Sequence, residues 1–144
     1  MEDGTARARL QPDAENRFVR LRAELGVTSF GLNQIVLHAG QRGRIHAHER
    51  QEEVYLVLEG TLSLFVEGEE ATLARGEVIR VAPGVKRQLV NRGPGPLHLL
   101  AIGGAGEHQG RDGMAFTDWD ATDSVSPQEM AMPEDLPKAD LRTT

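Results

Sequence analysis

The stretch GQRGRIHAHERQEEVYLVLEG, residues 40–60, decides how the rest of the chain is read. His46 and His48 stand two residues apart. On an extended segment such residues leave the same face, so both imidazoles point one way while Ile45 and Ala47 point the other. Glu53, Tyr55 and Val57 share one face of the next run, whose opposite face is also largely apolar, as expected of a strand packed between two sheets. With a turn over residues 49–52, Glu53 faces the histidines across a barrel, and Tyr55, of the same parity, lines the cavity. Two neutral imidazoles and a carboxylate on rigid strands suit Fe, Mn, Ni, Cu or Zn, with coordination positions left open. The competing reading is a pair of solvated histidines at a strand end.

Working outward, alternation of apolar and polar residues runs from about residue 17 to 102. RFVRLRAEL, residues 17–25, alternates and predicts a strand. GLNQIVLHA, TLSLFVEG, EVIRVAP, KRQLVN and PLHLLAIG predict further short strands. Glycine, proline and asparagine separate them at short intervals, the pattern of an all-β sandwich or barrel. No helical period stands out between residues 17 and 102. From residue 103 onward the character changes. Met114, Phe116, Trp119, Met130 and Met132 punctuate an acidic, proline-bearing segment, which reads as an extended arm docked on the barrel wall or on a second subunit. Ser126, Pro127 and Glu129 carry the signature of a short capped helix. The expected organisation is an N-terminal arm over residues 1–16, a barrel over 17–102 and an acidic arm over 103–144.

The 144-residue chain is 39% hydrophobic and 26% charged, a globular composition with room for one core. It has no cysteine, which excludes disulfides, thiolate metal sites and cysteine nucleophiles. The first residues have no apolar signal-like run, and no apolar stretch approaches the ~18 residues of a membrane span. These features predict a cytoplasmic protein with no membrane partner. From residue 103 onward there are nine acidic and three basic groups, enough to account for the whole net charge of −6. No basic stripe remains for nucleic acid.

The spacing of Gly40, His46, His48, Glu53 and Gly60 resembles the first motif of the cupin superfamily without a gap. Gly76, Gly84 and Asn91 match the spacing of the second motif. Two positions depart from it: Ala82 stands at the motif's proline, and Arg87 at its last histidine. The resemblance implies a double-stranded β-helix, or jelly roll, with irregular N- and C-terminal arms. It also implies a homodimer, and a metal site at His46, His48 and Glu53, with Glu52 as a register alternative. The family includes dioxygenases, decarboxylases, isomerases, sugar sensors and storage proteins, so fold alone does not give the function.

Arg87 stays protonated and cannot ligate a metal. Either it swings away, leaving a three-ligand site completed by water, or its guanidinium pairs with Glu53 and replaces the metal. In the first arrangement it is also an anion clamp for a ligand carboxylate or phosphate. His98 has the parity of Leu100 and Ile102; it either enters the barrel as a ligand-binding, metal-binding or acid–base group, or is a satisfied core histidine. Three functions follow. The chain is a metal-dependent enzyme such as an oxygenase or isomerase, a metal-free module binding a sugar or organic acid, or a small regulator acting through its acidic arm.

Overall fold

The computed structural model describes residues 3–104 and 112–143. Among them are ten strands in two antiparallel five-stranded sheets. The strands are β1 (Phe18–Val19), β2 (Gly31–Leu37), β3 (Ile45–His48), β4 (Glu52–Glu59), β5 (Leu62–Val66), β6 (Glu69–Leu73), β7 (Val78–Val81), β8 (Arg87–Val90), β9 (Leu97–Gly104) and β10 (Gly113–Phe116). One sheet runs β1-β2-β9-β4-β7 and the other β10-β3-β8-β5-β6. This is the expected all-β double-stranded β-helix. The apolar residues of alternate parity meet between the sheets: Ile35, Leu37, Tyr55, Val57, Leu62, Leu64, Leu89, Leu97 and Leu99 all belong to one buried cluster. Burying each such side chain contributes roughly 1.5–3 kcal/mol, which is why the two-residue period fixes the sheet faces.

The glycine that ends the first motif closes the barrel at the β4–β5 turn. Gly60 has φ +83°, and a Cβ there would lie 2.3 Å from the Pro96 carbonyl oxygen. Asn91 holds the neighbouring loop from within. Its amide donates to Leu37 O at 2.8 Å and Gly95 O at 2.9 Å, and its oxygen accepts from Gly93 N at 2.8 Å.

Two segments depart from expectation. RFVRLRAEL is not one strand: β1 ends at Val19 and a single-turn helix, α1 (Leu21–Leu25), follows. Leucine, arginine, alanine and glutamate are all good helix formers. The turn buries Leu21 and stops at Gly26, in the left-handed region at φ +73°. Beyond Val19 the segment makes no ladder pairs with β2, so local propensity prevails. The second departure is β10, inside the segment expected to be irregular. It pairs with β3 in register, Gly113 opposite His48 and Ala115 opposite His46. The histidine strand thereby lies between β10 and β8 rather than at an edge.

The described residues after β10 lie along the barrel wall. Cationic side chains of the barrel donate to its otherwise unpaired carbonyls: Arg42 Nε to Glu134 O and Arg44 Nε to Met130 O, both at 2.7 Å, and Lys86 Nζ to Trp119 O at 3.1 Å. Backbone bonds add Leu136 N to Gly40 O at 2.7 Å and Arg142 N to Arg92 O at 2.6 Å. Extended chain without sheet partners must satisfy its polar groups in this way. The turn at Pro127–Glu129 is a 3-10 helix of one turn, and the Ser126 side chain does not cap it. Among the described residues no helix is long and apolar enough to cross a membrane.

Candidate metal centre

Strand alternation carries His46 and His48 inward from β3, and Glu53 and Tyr55 inward from β4. Their ligand atoms converge: one nitrogen from each histidine and a Glu53 oxygen all lie within 4.8 Å of one another. Nε2 of His46 is 3.8 Å from Glu53 Oε1, and Nε2 of His48 is 3.5 Å from it. Adjacent ligands on a first-row ion lie about 3–3.4 Å apart when each bond is about 2.1 Å, so the three atoms need only small shifts to share a cation. Nδ1 of His46 lies 3.2 Å from Arg44 O, which accepts its proton. In the neutral ring that contact leaves Nε2 as the lone-pair nitrogen a metal requires, whereas with Nε2 also protonated the ring donates towards Glu53. His48 Nδ1 is buried and has no hydrogen-bond partner among the described residues, so its tautomer is not fixed in this way. The donor set therefore fits a divalent transition ion.

Arg87 is directly opposite His46 across the β3–β8 ladder and is fully buried. Its three donor groups are all used. Nη1 donates to Val85 O at 2.9 Å, Nε to the Tyr55 hydroxyl at 3.2 Å and Nη2 to Glu53 Oε1 at 3.0 Å. The Tyr55 hydroxyl in turn donates to Glu53 Oε1. Burial works against the Glu53 charge, but the His46 and His48 imidazoles outweigh it and hold the carboxyl well below its ordinary range. Burial and the Glu53 charge raise Tyr55 well above the usual phenol value, so it keeps its proton and remains a donor.

A cavity of about 230 Å³ opens beside these groups. Phe18, Ile35, Leu37, Leu89, Ala101 and Pro127 form its apolar wall; Asn33, Arg44, His46, His48, Glu53 and Tyr55 are its polar groups. His46, His48, Glu53 and Tyr55 thus meet on one wall, as their parity suggested. Arg87 and His98, expected as ligand contacts, do not line it. Arg87 stands behind Glu53, fully buried, with each of its three nitrogens donating to a protein acceptor, so it is a buried counter-ion and not an anion clamp. His98 points away, because the inward residues of β9 are Leu97, Leu99 and Ala101. It is buried on the outer face, with Nε2 3.6 Å from Glu59 Oε2. Its shared parity with Leu100 and Ile102 holds, but those residues face outward. Arg44 is the cavity residue that the sequence reading passed over. Its signal was the alternation itself, since Arg44, His46 and His48 occupy successive same-face positions. Burial and the neighbouring Arg17 charge hold Arg44 below the ordinary arginine range.

The comparisons agree with this geometry. The tetracenomycin polyketide synthase protein TcmJ of Streptomyces glaucescens is 30% identical over 99 residues, which cover 69% of this chain and 60% of that protein. The chain therefore spans less than two thirds of this curated relative. A cupin-superfamily sugar phosphate isomerase from Silicibacter pomeroyi superposes with a TM-score of 0.57 at 26% identity, covering 72% of this chain and 73% of its own. A cupin protein from Bacteroides fragilis gives a TM-score of 0.59 at 27% identity, covering 81% of this chain and 97% of its own. The cupin domain family model matches residues 33–103, the segment that holds His46, His48, Glu53, Tyr55 and Arg87. By sequence motif, sheet topology and family match alike, the chain carries a cupin domain.

Proposed function

We propose that the chain binds a divalent transition metal through His46, His48 and Glu53, and a small oxygenated or anionic molecule in the adjoining cavity, as a metal-dependent isomerase or oxygenase. The observation that carries this reading is the convergence of three ligand atoms within 4.8 Å on the wall of a cavity. A metal held there supplies Lewis acidity to an oxygen donor of the ligand. The chain's own groups do the rest. Arg87 and Tyr55 fix the Glu53 carboxylate by hydrogen bonds, and the apolar wall keeps water from the bound molecule. The likeness to a sugar phosphate isomerase supports isomerisation. The likeness to a polyketide synthase protein, together with the apolar wall, supports a larger and less polar substrate.

The test is elemental analysis of untagged protein purified without added metal, then after reconstitution with Fe, Mn, Ni, Cu and Zn in turn. About one ion per chain is expected. No bound ion after every reconstitution overturns the reading. A second reading then takes over, a metal-free module for a sugar or organic acid. It is favoured by the 3.0 Å contact of Arg87 with Glu53, which already balances the carboxylate charge.

We propose further that the chain forms a homodimer. Phe18 on β1 and Val78 on β7 are exposed large apolar residues on the two edge strands of one sheet, and Phe30 is exposed just before β2. Open edges with apolar side chains invite pairing with a second copy. Sedimentation equilibrium at micromolar concentration checks it, and a monomer would refute it.

A further inference from the structure

We infer that Arg44 is the anion-recognition residue of the cavity, and that the ligand is an organic acid with an apolar body. The carboxylate sits on the Arg44 guanidinium, and the body lies against Phe18, Leu37 and Leu89. The inference rests on the cavity being a ligand site, as proposed above, but not on the metal.

The first support is the unspent fork of Arg44. Its Nε donates to Met130 O at 2.7 Å. Among the described residues no carboxylate lies within ion-pair distance of it, whereas Arg17, Arg80, Arg87 and Arg92 all have acidic partners. Among the described residues its two terminal nitrogens have no acceptor, which leaves a planar pair of donors, the geometry that a carboxylate accepts. The Met130 contact holds the side chain at the cavity wall, so little rotamer freedom remains to be lost on binding.

The second support is the sign of the charge. Glu53 is the cavity's one carboxylate among the described residues, and Arg87 neutralises it from behind. Arg44 is then a positive charge with nothing to balance it, and Arg17 beside it is paired only loosely, 3.9 Å from Asp135 Oδ1. A divalent ion at the histidines would add to this excess. By these groups the cavity is electropositive whether or not metal is present, and the partly buried Arg44 charge favours an anionic counter-ion.

The third support is the lining. Most of the wall near Arg44 is carbon, from Phe18, Ile35, Leu37, Leu89 and Pro127. A sugar phosphate would leave most of its hydroxyls unpaired there, and unpaired buried polar groups weaken binding. A single carboxylate on a hydrocarbon or aromatic body matches both the one free fork and the apolar wall.

Isothermal titration of the whole chain with benzoate, 2-naphthoate and octanoate, each compared with its neutral amide, tests this. At least one acid should bind about tenfold or more tightly than its amide, the scale of one charge-assisted hydrogen-bonded pair. Arg44→Gln should abolish that preference and Arg44→Lys should keep part of it. The lysine variant loses the Met130 bond but keeps the charge, which separates anion recognition from anchoring of the C-terminal segment. Metal content is measured on the same samples. A carboxylate preference in protein that never takes up metal sinks the metal reading and leaves this one standing. No preference for any acid over its amide, a preference unchanged in Arg44→Gln, or tighter binding of inorganic phosphate than of all three acids would overturn the inference.

Discussion

Arg87 Nη2 lies 3.0 Å from Glu53 Oε1, and the guanidinium is wholly buried while the carboxylate is nearly so. The two residues stand 34 positions apart on strands of different sheets, so this contact ties the sheets together across the barrel interior. Tyr55 bridges them, donating to Glu53 and accepting from Arg87 Nε. Where the family pattern has a histidine, this chain has a cation whose charge is consumed within the protein. Glu53 is thereby held rigid and ionised beside the two imidazoles.

Removing that cation should be costly. Arg87→Ala leaves a buried carboxylate with one partner fewer, and the expected loss is about 3–5 kcal/mol of folding stability. Urea unfolding monitored by circular dichroism measures it. Arg87→Met combined with Glu53→Gln should recover part of the loss, since neither charge then remains. A loss below about 1 kcal/mol for Arg87→Ala would mean that the pair is not buried in solution.

Metal content should follow the ligand count. His46→Ala or His48→Ala leaves two protein ligands and should abolish stoichiometric metal. Arg87→His places an imidazole opposite His46 and removes a cation, so it should tighten binding. Competition with a chelator, read by elemental analysis, gives the order. Arg87→His taking up less metal than wild type would show that the arginine supports the site instead of limiting it.

Two glycines of similar backbone geometry should respond differently to alanine. Gly60 and Gly76 have φ of +83° and +85°, so both substitutions strain the backbone by about 1 kcal/mol. Only at Gly60 does the new Cβ meet a backbone atom, Pro96 O at 2.3 Å, while at Gly76 nothing lies within 4 Å. Gly60→Ala should therefore destabilise the fold by several kcal/mol, on the scale of an overpacked core, and Gly76→Ala by much less. Equal shifts in midpoint would contradict the close β4–β5 closure.

The docking of the C-terminal segment should weaken in acid. Arg92 Nε donates to Glu70 Oε2 at 2.6 Å, and Arg92 Nη1 donates to Asp140 O at 3.1 Å. The Arg92 hydrogen bond holds Glu70 below its ordinary value of 4.5. Because the folded pKa is the lower one, the stabilisation is complete above the unfolded value and is lost as pH falls through the folded value. Thermal melts should show Glu70→Gln less stable than wild type near neutral pH, with the gap closing below about pH 4.5. A gap that stays constant with pH would show that Glu70 is not ionically engaged.

The sequence by itself determined the sheets and most of the site. Period-two alternation assigns faces because a strand turns each successive side chain over. That rule puts His46 with His48 on one face of their strand and Glu53 with Tyr55 on one face of theirs. The glycine and asparagine spacings mark turns that need positive φ or an internal hydrogen-bond hub, as Gly60 and Asn91 show. What only the tertiary structure decided is which of two equivalent faces is inside and which partner a charge finds. His98 kept its predicted parity and still went outward, because parity fixes neighbours on a strand but not the side on which the second sheet packs. Arg87 had three readings open to it, and long-range packing against Glu53 and Tyr55 selected one. Arg44 keeps its terminal nitrogens without a protein acceptor among the described residues because Met130, 86 residues away, takes only its Nε. The helix at Leu21–Leu25 and the strand at Gly113–Phe116 follow the same logic. Each segment's local pattern was ambiguous, and its form was fixed by whether a strand edge lay beside it to accept its hydrogen bonds.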